Sequence, residues 1–513
     1  MRRLRAARER LGKWFAIPWY PIAISAYPVL ALLDANIGEV GLDAVVRPLL
    51  VSVLFGGLCF LLSWLFLRQV HKAALLTAAW LALFFSYGHL YIYLEEKYPD
   101  SNYTLWFAAG GTVLFVLALF WVTRPRLTFA SAAPILNTVA LALLVMSASQ
   151  VIPEIQPPSA HALALPDAPI QRDLVRPENP PDVYFFLLDS YGRADLLKQA
   201  YGFDNSEFLN ALEERGFFVA ECSQSNYVRT ELSLGSSFNM QYLQDLSDKF
   251  APESTARRLL WNSLKHSAVR YNFESLGYEM VSARTEFDWL NLEDTDHFLS
   301  PPPISSSMTE FEGLFLRTTL ARHAQDWGWV DPDHILGVTA RDRFNYVFNN
   351  IDDIARMPQP TFSYLHLISP HPPFVFDAGG NPTHPADFWN ERRLYPAELY
   401  KKGYVNQTQF LNKKLLEAVD TILAESDVPP VIIIQGDHGP WLQPRERRMW
   451  ILAAVYFPGH KDKLYETISP VNIFRLVFDI YFGGKYDMLP DISYFSPVPK
   501  LYNFSKVPYT CEK

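Results

Sequence analysis

With 513 residues the chain is long enough for more than one domain. A formal net charge of -9 and a pI near 5.8 argue against a protein that grips nucleic acid through a basic face. Mean hydropathy is +0.00, but charge is sparse up to about Ile152 and ordinary for a soluble protein beyond it.

Five apolar stretches of roughly 20 residues are each long enough to cross a bilayer: Trp14–Leu33, Val45–Leu67, Ala73–Leu94, Thr104–Thr123 and Phe129–Ile152. Pro18, Pro21 and Pro28 kink the first. Basic residues precede or join these stretches at alternate loops: Arg2, Arg3, Arg5, Arg8, Arg10 and Lys13, then Arg68 and Lys72, then Arg124 and Arg126. The intervening loops carry Asp34, Glu39, Asp43, Glu95, Glu96 and Asp100, with Lys97 as the exception. The positive-inside rule therefore puts the N-terminus in the cytoplasm and everything after the fifth span outside it, in a multi-pass protein of the cell membrane. No small-residue cleavage site follows the first span, which reads as an anchor. A transporter would need charged or broken helices at mid-membrane, and the spans hold little charge.

From Pro153 to Pro181 repeated prolines predict an extended connector. Residues 1–152 are thus expected to form a transmembrane domain, 153–181 a linker and 182–513 an extracytoplasmic domain. Of three cysteines, Cys59 lies in a span, and Cys222 and Cys511 lie in the outside half, where pairing is allowed but not dictated.

The outside half alternates strands and helices. "VYFFLL" (Val183–Leu188) is a buried strand ending at Asp189; "NSEFLNALEERG" is a helix with Asn205 as its cap and Gly216 as its stop; "FFVA" is a second strand. "FSYLHL" (Phe362–Leu367) is a third, ending near His366 and His371. Pro396 to Ser426 carries a helical apolar face, followed by the strand Val431–Ile434 and by "WILAAVYF" (Trp450–Phe457). This pattern predicts an α/β domain with a mostly parallel sheet. Neither GxGxxG nor a P-loop occurs in it.

Ligands in open α/β sheets bind at the carboxyl ends of strands. Asp189 and Asp437 stand at two such ends, and His438 follows Asp437, so the three read as parts of a divided metal site. Thr230 opens the probable helix of "SNYVRTELSLGSSFNM". A threonine there is either a cap or a hydroxyl acidified by a metal.

The ordered segments "VYFFLLDSYGRAD", "NYVRTELSLGSSF", "HLISPHPPF" and "IIIQGDHG" resemble the alkaline phosphatase/sulfatase superfamily. Within it they are most similar to the five-span membrane members: lipoteichoic acid synthases, phosphoethanolamine transferases and sulfatase-like relatives. The resemblance runs from the spans to about Pro490. It implies Asp189, Thr230, Asp437 and His438 as ligands of one divalent ion, Thr230 as nucleophile and His371 as a substrate-side histidine. His366 and Arg193 are further substrate-binding candidates. Three features depart from the family. Glu often stands where Asp189 does, and the arginine usually follows the first acid by three residues, not four. A second histidine downstream of the Asp-His pair is missing from "GPWLQPRERRMW", which holds Arg445, Arg447 and Arg448.

The chemistry implied is in-line attack by Thr230 on a phosphate ester, through a covalent threonine ester that water or a second alcohol releases. His371 would protonate the leaving oxygen or steady its charge. The surroundings of Thr230 lack the C/S-x-P-x-R pattern of formylglycine sulfatases, which favours phosphate over sulfate. Zinc, manganese and magnesium all suit such ligands. The expected partners are membrane lipids or a lipid-linked phospho-donor, with a glycan or lipid acceptor. The rival is a non-enzymatic membrane sensor of this fold that binds lipid head groups.

Overall fold

The computed structural model describes residues 14–36, 43–98, 103–155, 168–171, 173–254, 257–302, 308–389, 395–498 and 500–511. The basic cluster from Arg2 to Lys13, with Glu39, Asp100 and linker residues 156–167 and 172, lies outside them. Two compact units form: Met1–Pro157 with Ser305–Leu336, and Pro158–Ile304 with Gly337–Lys513. The segment Ser305–Leu336, read from sequence as part of the outside domain, thus packs in the first unit.

The first unit contains α1 (Tyr20–Ala35), α2 (Asp43–Leu67), α3 (Val70–Lys97), α4 (Thr104–Thr123) and α5 (Ala132–Ile155). Among the described residues, four helical stretches are long and apolar enough to cross a membrane: Ala44–Leu67, Val70–Glu95, Thr104–Thr123 and Ala132–Ser149. The fifth expected span is shorter. Pro18 follows the short helical stretch 14–16 and separates it from α1, which starts at Tyr20 and keeps 16 residues, with Pro21 in its first turn and Pro28 inside. The backbone groups exposed at this break are satisfied by Asn137 of α5. Its side chain accepts from Tyr20 N at 2.9 Å and donates to the Phe15 and Ile17 carbonyls at 2.9 and 2.7 Å. The inserted segment adds α6 (Glu310–Arg317), opened by a capping box between Thr309 and Glu312. Phe311 is buried with Val29, Leu33, Val45 and Val151. Glu312 pairs with Arg47 near the start of α2, and His323 meets the Tyr87 hydroxyl at 2.8 Å on α3.

The second unit is a mixed, mostly parallel sheet with helices. Its strands are β1 (Val183–Leu188), β2 (Phe218–Val219), β3 (Glu279–Ala283), β4 (His297–Leu299), β5 (Thr361–Leu367), β6 (Val431–Gly436) and β7 (Ala453–Tyr456), in the order β2-β7-β6-β1-β5-β3-β4. β1 runs parallel to both β5 and β6, while β7 and β2 are antiparallel additions at one edge. Every residue of β1, β5 and β6 is buried, which is why β1 and the first four residues of β6 read as continuous apolar runs, while β5 buries Thr361, Ser363 and His366 among its apolar residues. Each large side chain so buried contributes roughly 1.5–3 kcal/mol. Leu188 pairs with Leu367 on one side and Gly436 on the other, so the three central strands end level.

Three local expectations need correction. Asn205 precedes the helix Ser206–Glu214, but its side chain does not cap it. It is buried instead, donating to Tyr191 Oη at 3.0 Å and accepting from Asn412 at 2.7 Å. The described end of the linker is not a free connector, because Ile170 and Leu174 pack on the apolar core and Val175 N donates to the Phe482 carbonyl at 2.9 Å. Strands β3 and β4, which the sequence reading passed over, extend the parallel edge of the sheet.

Candidate metal centre

The level ends of β1 and β6 bring Asp189 and Asp437 together, and the turn after β6 adds His438. One ligand atom from each of the three lies within 4.8 Å of the others, and all three residues are buried. His438 Nε2 is 3.5 Å from Asp437 Oδ2 and 4.0 Å from Asp189 Oδ1. Its Nδ1 lies 2.8 Å from the Gly439 carbonyl, which keeps the ring proton on Nδ1 and turns the Nε2 lone pair inward. Asp437 Oδ1 accepts from the backbone N–H of Ser190 at 2.9 Å and of His438 at 2.7 Å. Its Oδ2 is buried without a hydrogen-bond partner.

Two features of the backbone allow this convergence. Ser190 has φ +65, a left-handed conformation that aims its N–H at Asp437. Tyr404 holds the turn, donating to the Ser190 carbonyl at 2.8 Å and accepting from Gly192 N at 3.0 Å. Gly436 is required on the other side, since a Cβ there would meet the Tyr191 carbonyl oxygen at 2.5 Å.

Thr230 is the first residue of the helix Thr230–Phe238, and the capping position belongs to Arg229. The hydroxyl is therefore not spent on capping. Thr230 Oγ1 lies 3.3 Å from His438 Nε2, and with the imidazole proton on Nδ1 the hydroxyl is the donor. The four expected ligands thus meet in one place.

Two buried carboxylates side by side are poorly suited to carry full charge without a cation. Burial, and then Asp437, raise the pKa of Asp189. The donor set of two carboxylates, one imidazole and one hydroxyl fits a divalent ion, and the unpartnered Asp437 Oδ2 is the kind of buried acceptor that such an ion satisfies.

His371 sits beyond β5 with its backbone N–H on the Asp189 carbonyl at 3.1 Å. Nδ1 is 2.6 Å from the Pro372 carbonyl, so the proton stays there. Burial lowers its pKa. A neutral ring with its proton on Nδ1 has its lone pair on Nε2. His366 is buried in β5, its Nδ1 3.1 Å from Tyr364 Oη and its Nε2 without a partner. Burial pushes its pKa down to about 4.

Arg193 does not join them. Its guanidinium is bound to both carboxylate oxygens of Asp195 at 2.8 and 2.7 Å, donates to the Ser223 and Thr510 carbonyls, and lies 4.4 Å over the Trp450 ring. With all its directions engaged it is a structural clamp, one residue too late in the turn to face the metal ligands. Cys222 and Cys511 form a disulfide beside it, with Cα atoms 5.2 Å apart.

Several residues near the site escaped the sequence reading. Glu286, in the loop after β3, pairs with Arg343 at 2.8 Å beside a small cavity that His366 and Gln407 also line. Arg229, just before the Thr230–Phe238 helix, and Arg448, in the loop after His438, also approach. Only the repeated strand-end position marks Glu286, and its strand is short.

No protein-family model matches the sequence, and no curated protein is significantly similar to it. Solved structures are similar. The C-terminal periplasmic domain of EcEptC from Escherichia coli, in complex with Zn, aligns at 13% identity over 64% of this chain and 94% of its own, with a TM-score of 0.42. The integral membrane lipooligosaccharide phosphoethanolamine transferase A (EptA) from Neisseria meningitidis aligns at 14% identity over 91% of this chain and 95% of its own, with a TM-score of 0.38. The lipoteichoic acid synthase LtaP from Listeria monocytogenes aligns at 13% identity over 60% and 75%, with a TM-score of 0.35.

Proposed function

We propose that the chain is a membrane-anchored, metal-dependent phosphoryl-transfer enzyme in which Thr230 is the nucleophile. The observation that carries this reading is the convergence of an uncapped hydroxyl with three buried ligands, one of which, Asp437, keeps an unpartnered oxygen. Asp189, Asp437, His438 and Thr230 would hold the ion. When bound, it supplies a Lewis acid that lowers the hydroxyl pKa and polarises a phosphoryl oxygen. Thr230 Oγ1 forms the bond to phosphorus as the bond to the leaving oxygen breaks. The proton that Thr230 gives up ends on that oxygen, so the half-reaction consumes no net proton. His371, neutral with a lone pair on Nε2, then takes the proton of the incoming water or alcohol as its oxygen displaces Thr230, and that proton passes on to the departing Thr230 oxygen to restore the hydroxyl.

The substrates in this reading are lipid-linked or envelope-glycan phosphate esters outside the cytoplasm. Five crossings from an inside N-terminus remain part of the proposal, with α1 as a short first span. Packing of Glu312 against Arg47 at the start of α2, and of Arg322 against Glu95 near the end of α3, supports it, because the loop charges assign both of those helix ends to the outside.

The test is Thr230→Ala in the full chain. Folding and metal content should persist while turnover of phosphate esters is lost, and Thr230→Ser should keep part of it. Peptide mass mapping after incubation with a slowly released substrate should find the added group on the peptide around Thr230. Full activity in Thr230→Ala would overturn the reading.

A further inference from the structure

The loop after His438 folds back so that the Gly439 N–H donates to the Arg448 carbonyl at 2.7 Å. From there the Arg448 side chain reaches the other half of the site, donating from Nη2 to the Val228 carbonyl at 3.3 Å, two residues before Thr230. Arg448 thus spans the metal-ligand loop and the nucleophile loop. Its Nε is buried and has no hydrogen-bond partner, and no carboxylate of the described residues lies within 4.0 Å of it. Arg229, beside Thr230, likewise has a buried Nη2 with no partner. Its nearest carboxylate, Glu231, is 3.9 Å away and is shared with Arg257 at 3.4 Å and the Trp261 indole at 3.2 Å. The two guanidiniums are close enough to repel each other, and Arg448 also feels the charge of Asp437. The Tyr400 hydroxyl, within the electrostatic reach of both Asp189 and Arg448, is a third buried polar group without a partner.

Three buried donors left open near the Thr230 and Asp189 segments are a cost unless something accepts from them. Two of them are cations, which selects the sign of that partner. A headgroup ammonium at this point would meet like charge, whereas a phosphate with two negative charges would accept a charge-assisted hydrogen bond from the open nitrogen of each arginine.

We propose that Arg229, Arg448 and Tyr400 form an anion subsite against Thr230, and that the substrate presents there a doubly charged phosphate: a phosphomonoester, or the second phosphate of a diphosphate, in preference to a zwitterionic phosphodiester. This rests on the phosphoryl-transfer reading of the same site and narrows its substrate class.

Binding is measured separately from turnover, using the full-length Thr230→Ala protein loaded with metal in detergent and titrated calorimetrically with inorganic phosphate, pyrophosphate and dimethyl phosphate. Phosphate and pyrophosphate should bind at least roughly tenfold more tightly than the monoanionic diester, the scale of one charge-assisted hydrogen bond. Adding Arg448→Gln or Arg229→Gln should remove that margin and leave dimethyl phosphate binding and metal content unchanged. Arg448→Lys should retain part of the margin. Loss of inorganic phosphate binding in the glutamine variants assigns the subsite to a monoester. Loss confined to pyrophosphate assigns it to a neighbouring phosphate. Equal binding of all three anions, or a margin that survives Arg448→Gln in a protein with native metal content and melting temperature, overturns the subsite. Threonine-dependent turnover that ignores both arginines would leave the function standing and the subsite refuted. Arginine-dependent binding without turnover would do the reverse.

Discussion

Replacing Gly436 by alanine tests how closely the turns after β1 and β6 must approach. The new Cβ would lie 2.5 Å from the Tyr191 carbonyl oxygen, against 3.4 Å for an ordinary contact, so the backbone must yield by about 0.9 Å. Neither side gives easily. The turn is held by Tyr404, and Gly436 N is bonded to the Leu452 carbonyl at 2.9 Å. The bond from Ser190 N to Asp437 Oδ1, now 2.9 Å, is the first to stretch out of range. Overpacking of this kind costs about 1–3 kcal/mol of stability. Loss of a partner that orients a metal ligand typically weakens metal binding roughly 10–100-fold. Both quantities are accessible in the full chain, the first by thermal unfolding of chelated protein and the second by competition with a metal chelator. An alanine variant that unfolds earlier yet binds metal as tightly as wild type would refute the claim that this approach sets the ligand geometry.

Arg193→Lys should lower the melting temperature and leave KM unchanged, because a side chain 3% exposed and bound to Asp195 serves the fold; breaking such a pair costs up to about 3–5 kcal/mol, and a changed KM at unchanged stability would contradict it. In chelated protein, the raised pKa of Asp189 means that the folded state holds a proton the unfolded state has released, so stability should fall as pH rises above the ordinary carboxylate range. Loading with metal should remove this fall, as read from the difference between loaded and chelated melting curves across pH; His366 and His371, whose pKa values are lowered, act in the opposite sense and cancel in that difference if they respond equally in both forms. Acid inactivation should set in below the ordinary imidazole pKa, and His371→Gln should alter that limb of the rate profile. Reduction of the Cys222–Cys511 bond, which closes a 289-residue separation, should destabilise the second unit by about 2–5 kcal/mol with metal content retained.

The central site was legible because its residues sit at ends of strands that are buried on both faces. β1 and β6 have no polar residue before Asp189 and before Gln435, so their ends could be read directly. Thr230 was legible only as a choice between a cap and a nucleophile. What removed the first option is the extended backbone of Arg229, with φ -134 and ψ 145, and that is invisible in sequence. Arg193 misled for a similar reason: proximity to Asp189 along the chain says nothing of a guanidinium turned toward Asp195 and Thr510. Arg448 lies ten residues past His438, and only the return of its loop onto Gly439 brings it back. The fold of Ser305–Leu336 was missed because its amphipathic pattern is equally suited to covering a sheet or the end of a helical bundle.

That segment has a consequence for the order of synthesis. The chain leaves the ribosome from its N-terminus, so α1, α2, α3 and α5 are complete long before residue 305 exists. Yet the cluster of Val29, Leu33, Val45 and Val151 is closed by Phe311, and Glu312 and His323 then pair with Arg47 and Tyr87. The earliest helices must therefore wait, partly unclosed, through the making of β1 to β4, and the first unit cannot be finished until the whole N-terminal segment of the second, Pro158–Ile304, has been translated. A fragment cut after the last apolar helix would lack its own final piece, and a fragment beginning at Pro158 would carry that piece with nothing to cover Phe311.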